Sequence, residues 1–113
     1  MNKQNLINLV KQHTNSFEDH PFNGGHSHEK IEWTVMKQKS NSKILALIYV
    51  KDHDLQITLK LEPSHGELMR QYQGIEAGYH MNKTHWNTIH VNQTEISSDE
   101  IVQMIKESSR LTI

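Results

Sequence analysis

The chain has 113 residues, no cysteine, twelve Lys and Arg against thirteen Asp and Glu, and a mean hydropathy of -0.72. Those values exclude disulfide scaffolds, thiolate metal sites and cysteine nucleophiles, and they leave no strong overall field of either sign. The longest apolar run, residues 44–50, falls far short of the roughly 20 residues of a membrane span, and residues 1–10 lack the apolar core of a signal peptide. One soluble domain over residues 1–113 is expected, cytoplasmic and without a membrane partner.

Residues 4–13 carry Leu6, Leu9, Val10 and His13 at helical spacing and predict a short amphipathic helix that Asn15-Ser16 ends. Residues 18–25 read as turn chemistry, Asp19-His20-Pro21 followed by Asn23-Gly24-Gly25. A short strand before or across Pro21-Phe22 fits only at a sheet edge, because proline donates no ladder hydrogen bond. Residues 31–35 alternate apolar and polar and predict a strand. Residues 37–43 are polar, with a turn at Ser40-Asn41-Ser42. Residues 44–50 are apolar on both faces, which suits a central strand. Lys51-Asp52-His53-Asp54 predicts a second hairpin turn, with His53 solvated at its tip.

Leu55, Ile57, Leu59 and Leu61 alternate with Gln56, Thr58 and Lys60, the clearest strand pattern in the chain, with one apolar and one wet face. Pro63 opens a helix with Leu68, Met69 and Tyr72 as its apolar stripe and Gly74 as its stop. Residues 75–84 read as irregular and residues 86–91 as a last strand. Ser97 and Glu100 form a capping-box pattern ahead of Ile101, Met104 and Ile105, so residues 97–111 predict a helix. Ser97 reads as its cap and Ser108 as helix surface. The expected architecture is α+β: two layers, an antiparallel sheet covered on one side by three helices.

The stretch Gly78-Tyr79-His80-Met81-Asn82-Lys83-Thr84-His85-Trp86-Asn87-Thr88 resembles the signature of the MmcQ/YjbR-like family, which runs Gly-Tyr-His-apolar-Asn-Lys-x-His-Trp. His20-Pro21-Phe22, Thr58-Leu59-Lys60-Leu61-Glu62-Pro63 and Ser108-Ser109-Arg110-Leu111 match in order, so the resemblance spans essentially the whole chain. It implies a frataxin-like (CyaY-like, double-wing) fold, a DNA-binding role and no enzymatic activity. Residues 23–30 form a longer, His-bearing loop that departs from the family pattern. The first helix has no Asp or Glu, unlike the dense acidic helix of iron-binding frataxin-like folds.

Several constellations carry candidate chemistry. Gly78, Tyr79 and Trp86 are expected to be structural: glycine for backbone freedom, Trp86 as a buried anchor. His80, Asn82, Lys83 and His85 crowd one loop and offer donors to an anion. Lys37, Lys39 and Lys60, with Lys43 and Lys51 beside the hairpin turns, are candidate phosphate contacts if they share a face. Arg70 and Arg110 are the only arginines, too few for base readout by arginine. His26-Ser27-His28 with Asp19 and His20 has metal-ligand chemistry at an unspecific spacing, so no metal or cofactor is expected. No Gly-x-Ser-x-Gly, phosphate loop or His-Glu-x-x-His occurs, so no catalytic residue is expected. The partner is DNA through phosphate contacts or, as the alternative, a protein or small ligand. Nine histidines mean that net charge rises as pH falls through about 6.5.

Overall fold

The alternating apolar residues of the third hairpin strand form the centre of the molecule. In this computed structural model, which describes residues 1–21, 31–78 and 81–113, Leu55, Ile57 and Leu59 all lie in the main core. The elements in chain order are α1 (Lys3–His13), β1 (Ser16–Asp19), β2 (Thr34–Gln38), β3 (Ile44–Lys51), β4 (Asp54–Lys60), α2 (Pro63–Met69), β5 (Ile75–Ala77), β6 (Trp86–His90) and α3 (Ser98–Leu111). The strands form a six-stranded sheet of order β1-β2-β3-β4-β6-β5. Every pairing is antiparallel. The predicted meander is present as β2-β3-β4. β6 adds to its far side, and β5 and β1 close the two edges.

Leu6, Ile7 and Val10 of α1 and Ile101, Met104 and Ile105 of α3 pack on one face of the sheet, against Met36, Ala46, Ile48, Ile57, Leu59 and Ile89. α1 starts at Asn2, whose side chain accepts from Asn5 N at 2.8 Å while the Asn5 side chain accepts from Asn2 N at 3.1 Å. That reciprocal pair satisfies two of the donors a helix start leaves open. Ser97 caps α3 through Glu100 N.

The structure corrects several readings. The strand expected at 31–35 lies three residues later, because Gln38 is a strand residue despite its polarity. Its buried amide donates to Ser109 O at 2.7 Å and to Thr112 Oγ1 at 3.0 Å, so α3 supplies its partners. The edge strand precedes Pro21 at Ser16–Asp19, where turn chemistry was expected from residue 18; Phe22 lies outside the described residues. β5 occupies the start of the segment expected to be irregular.

α2 is one turn shorter than its stripe predicts. Met69 is buried, but Leu68 and Tyr72 are 53% and 43% exposed. The face of α2 that packs inward carries Gly66, where a Cβ would approach Asn87 and Arg70 side-chain atoms at 3.0 Å. Gly74, expected as the helix stop, lies beyond the C-cap residue Arg70 and instead takes the left-handed conformation, φ +84°, just before β5.

The second face of the sheet is not wet. Trp33, Val35, Leu47 and Tyr49 form a second core there, with Ile31, Ile44 and Met81 against it. The Trp33 and Tyr49 rings lie 4.4 Å apart at 48°. On β4 and β6, Thr58 and Thr88 are fully buried and hydrogen-bond each other at 2.8 Å, so polar β4 residues on this face are paired rather than solvated.

Ser108 is also not surface. It donates to Leu45 O at 2.6 Å and accepts from Lys60 N at 2.9 Å, joining α3 to β3 and β4. Ser108→Ala removes that donor and leaves the Lys60 amide buried without its acceptor. A loss of about 1 to 3 kcal/mol is expected in urea unfolding, and a loss under about 0.5 kcal/mol would contradict this assignment.

Candidate functional site

The antiparallel register sorts the chain's charges between two ends. The first end carries the β2–β3 connection, the start of β6 and the C-termini of α1 and α3. Three bonds place those helix ends there: Lys39 N donates to Asn15 O, Gln38 to Ser109 O, and Asn41 to Thr112 O. The second end carries the β3–β4 turn, the end of β6 and the starts of α1 and α3. Met1 reaches Asn92 there, and the Lys3 ammonium donates to Glu32 O.

Lys37 and Lys60 lie within about one position of each other along the sheet at the first end. Lys37 is opposite Ile44 in β3, and Lys60 is opposite Trp86 in β6. Both lysines lie on the second sheet face, one strand apart, which places their backbones about 9.5 Å from each other. Lys39 and Lys43 are exposed on the adjoining turn, and Lys11 and Arg110 are exposed at the ends of α1 and α3. A recess of about 360 Å³ lined by Lys11, Thr14, Ser16, Phe17, Glu18 and Lys39 opens on this side.

Lys83 and His85 join the same end through the turn before β6. Asn82 organises that turn: its side chain accepts from Thr84 N at 2.9 Å, and its carbonyl accepts from Trp86 N at 2.9 Å. Asn82 is therefore a turn former through its side-chain oxygen and its carbonyl. Asn82 and Lys83 are exposed and His85 is half-buried, with its carbonyl accepting from Leu61 N at 2.9 Å. Tyr79 and His80 lie outside the described residues, as does His26-Ser27-His28.

Gly78 and Trp86 are structural. Trp86 is 9% exposed. Gly78 N donates to Trp86 O at 2.7 Å, and a Cβ on residue 78 would meet Trp86 Cβ and Trp86 O at 2.8 Å. Only glycine tolerates that approach. Gly78→Ala is expected to destabilise the fold. Trp86→Ala is expected to cost about 3 to 5 kcal/mol in chemical unfolding. Unchanged stability in Trp86→Ala with a binding defect would make it a recognition residue instead.

Two carboxylates of β1 occupy lysines of this end. Lys37 Nζ lies 2.7 Å from Asp19 Oδ2, and Lys11 Nζ lies 2.6 Å from Glu18 Oε1. The Lys37 hydrogen bond holds the Asp19 carboxyl below the ordinary carboxylate range, and the Lys11 hydrogen bond does the same for Glu18. Because the folded values are depressed, these pairs stabilise the fold above the ordinary carboxylate range near 4. Their contribution is lost as pH falls through the lowered folded values. Between pH 7 and 5 they are expected to give no pH dependence. Lys37→Met should return the Asp19 carboxyl to about 4 in a ¹³C NMR titration, and an unmoved value would refute the coupling.

The second end holds a cluster that the sequence did not reveal. His90 Nδ1 lies 2.5 Å from Asp54 Oδ2, and His90 Nε2 lies 3.5 Å from Glu76 Oε2. Gln93 Nε2 donates to Asp54 Oδ1 at 3.2 Å. Asp54 thus turns back onto β6 rather than towards the exposed His53 of its own turn. Only the ladder, which sets Gln56 opposite His90, brings these distant residues together. A third His–carboxylate contact, His65 Nδ1 to Glu107 Oε1 at 2.9 Å, ties α2 to α3. Among the described residues no group of three or more His, Asp or Glu side chains is arranged to hold a metal ion. Among the same residues no helix is long and apolar enough to cross a membrane.

A six-stranded antiparallel sheet with helices packed on one face makes this an α+β protein. The chain belongs to the YjbR family, whose model matches residues 11–111. A crystal structure of a Pseudomonas syringae protein is similar over 100% of both chains, with 28% identity and a TM-score of 0.83. A Deinococcus radiodurans protein with a DUF419 domain is similar over 96% of this chain and 75% of its own, with 27% identity and a TM-score of 0.76. A solution structure of a P. syringae protein gives 28% identity and a TM-score of 0.77. No curated protein matches the chain.

Proposed function

We propose that this YjbR-family chain is a non-enzymatic cytoplasmic DNA-associated protein that grips duplex phosphates with its first end. The observation that carries this reading is the polarity of charge. Lys11, Lys37, Lys39, Lys43, Lys60, Lys83 and Arg110 gather at the end where β2 turns into β3, with Glu18, Asp19, Glu62 and Glu107 among them, so the basic groups there outnumber the acidic ones. Asp52, Asp54, Glu76, Glu95, Asp99 and Glu100 gather at the other, with Lys3 and Lys51. A formal net charge of -1 averages these two poles away. An ordered set of ammonium groups at one end is suited to a backbone anion, and sequence-tolerant binding follows from contacts to phosphate rather than base edges.

The non-enzymatic part of the reading is supported by the His90 cluster. An Asp–His pair orients an imidazole for general-base work when the outer nitrogen faces a nucleophile. Here the outer nitrogen lies 3.5 Å from the Glu76 carboxylate, so the imidazole is flanked by two acids rather than by a hydroxyl or thiol.

Duplex binding is expected to be weak and steeply salt-dependent, with a log–log slope near -2.7 if about three phosphates are neutralised at roughly -0.9 each. Lys39→Ala, Lys60→Ala and Lys83→Ala should each flatten the slope by about one unit where the residue makes a contact. Lys51→Ala and Lys3→Ala, at the other end, should leave it unchanged. Fluorescence anisotropy across a salt series measures this. Binding indifferent to salt, or equal effects from both ends, would refute the phosphate reading.

A further inference from the structure

We propose that Asp19 is an internal competitor seated in an anion site on Lys37, and that a duplex phosphate oxygen takes its place when DNA binds. The inference rests on the phosphate reading above and adds a device that sets its strength. Asp19 and Lys37 lie diagonally on the same sheet face, since Phe17 is opposite Lys37 and Asp19 is opposite Val35 in the ladder. One carboxylate oxygen meets the ammonium at 2.7 Å, and the other accepts from His20 N at 2.9 Å. The carboxylate is thereby aimed at the lysine by the neighbouring backbone.

Lys37 is 24% exposed and Asp19 39% exposed, so the lysine is the better fixed of the two. β1 is four residues long and lies at the edge of the sheet. Carboxylate and phosphate oxygens offer an ammonium the same kind of charge-assisted acceptor, and an ion pair this exposed is weak. Exchanging one anion for the other at Lys37 therefore costs little. Lys60, on the same sheet face with β3 between, has its backbone held by Ser108.

The test compares full-length wild type with Asp19→Asn on a duplex of mixed sequence, at 50 to 200 mM salt. Asp19→Asn is expected to bind about two- to five-fold tighter, the span of an exposed ion pair. Its salt slope should be unchanged, because the same phosphates are contacted. Glu62→Gln is the control, since Glu62 is an exposed acid at the same end whose side chain makes no cap bond. It changes net charge equally and should give less than half the gain. In a Lys37→Ala background, Asp19→Asn should gain no more than Glu62→Gln does.

In wild type, saturation with duplex should move the Asp19 carboxyl titration, read by ¹³C NMR, up towards its ordinary range. That measurement needs no variant to fold. Asp19→Asn binding no tighter than Glu62→Gln, a gain above that of Glu62→Gln that survives Lys37→Ala, or an Asp19 titration unmoved by duplex would overturn the inference while leaving the phosphate reading standing. No binding by either wild type or Asp19→Asn at 50 mM salt would overturn both.

Discussion

The last turn of α3 is held to the sheet by polar atoms, and the arrangement of the basic end depends on that attachment. Ser108 bridges the Leu45 carbonyl and the Lys60 amide, while Gln38 reaches Ser109 O and Thr112 Oγ1. Apolar burial alone fixes how deep a helix lies, but leaves it free to slide along its axis. Buried hydrogen bonds with few alternative partners remove that freedom, because a shift strands each group without an acceptor. Lys37, Lys39, Lys43 and Lys60 flank or contain the residues so fixed. The backbone that carries these lysines is therefore tied to the core behind it.

The same logic explains why the second sheet face is closed. A sheet with helices on one side leaves its other side to water unless something fills it. Here Trp33 and Tyr49 form an aromatic pair, Leu47 and Val35 complete the cluster, and Thr58 and Thr88 satisfy each other beside it. Lys37, Lys60 and Trp86 sit at the margin of that cluster. A lysine stem packed at the rim of an apolar surface keeps its ammonium in solvent while losing rotamer freedom. That combination suits contact with an ordered anion.

Much of this architecture was legible in the residues. The continuous apolar run at 44–50 and the period-two run at 55–61 located β3 and β4, and Ser97 with Ile101, Met104 and Ile105 located α3. These signals are local and were not overridden. The errors share one cause: polar residues whose partners are distant in sequence. Gln38 extends β2 because α3 receives its amide, and Ser108 is buried because β3 and β4 use its hydroxyl. Neither partner is visible from local pattern. Leu68 and Tyr72 misled in the opposite sense, as exposed apolar residues at helical spacing. At the site, Lys37, Lys39, Lys60, Lys83 and His85 were named from sequence, and the fold brings them to one end. The pairing of Asp19 with Lys37 and the Asp54–His90–Glu76 cluster were not foreseen, because only strand register makes those groups neighbours.

The central claim is that one pole of this molecule, and not the other, meets nucleic acid. Backbone amide chemical-shift mapping of the full chain, titrated with duplex DNA at low salt, tests it most directly. The account predicts shifts at Lys37, Lys39, Lys43, Lys60 and Lys83, with Asp52, Asp54, Glu95 and Glu100 unmoved. Shifts concentrated at the acidic pole, or spread evenly over both, would contradict it.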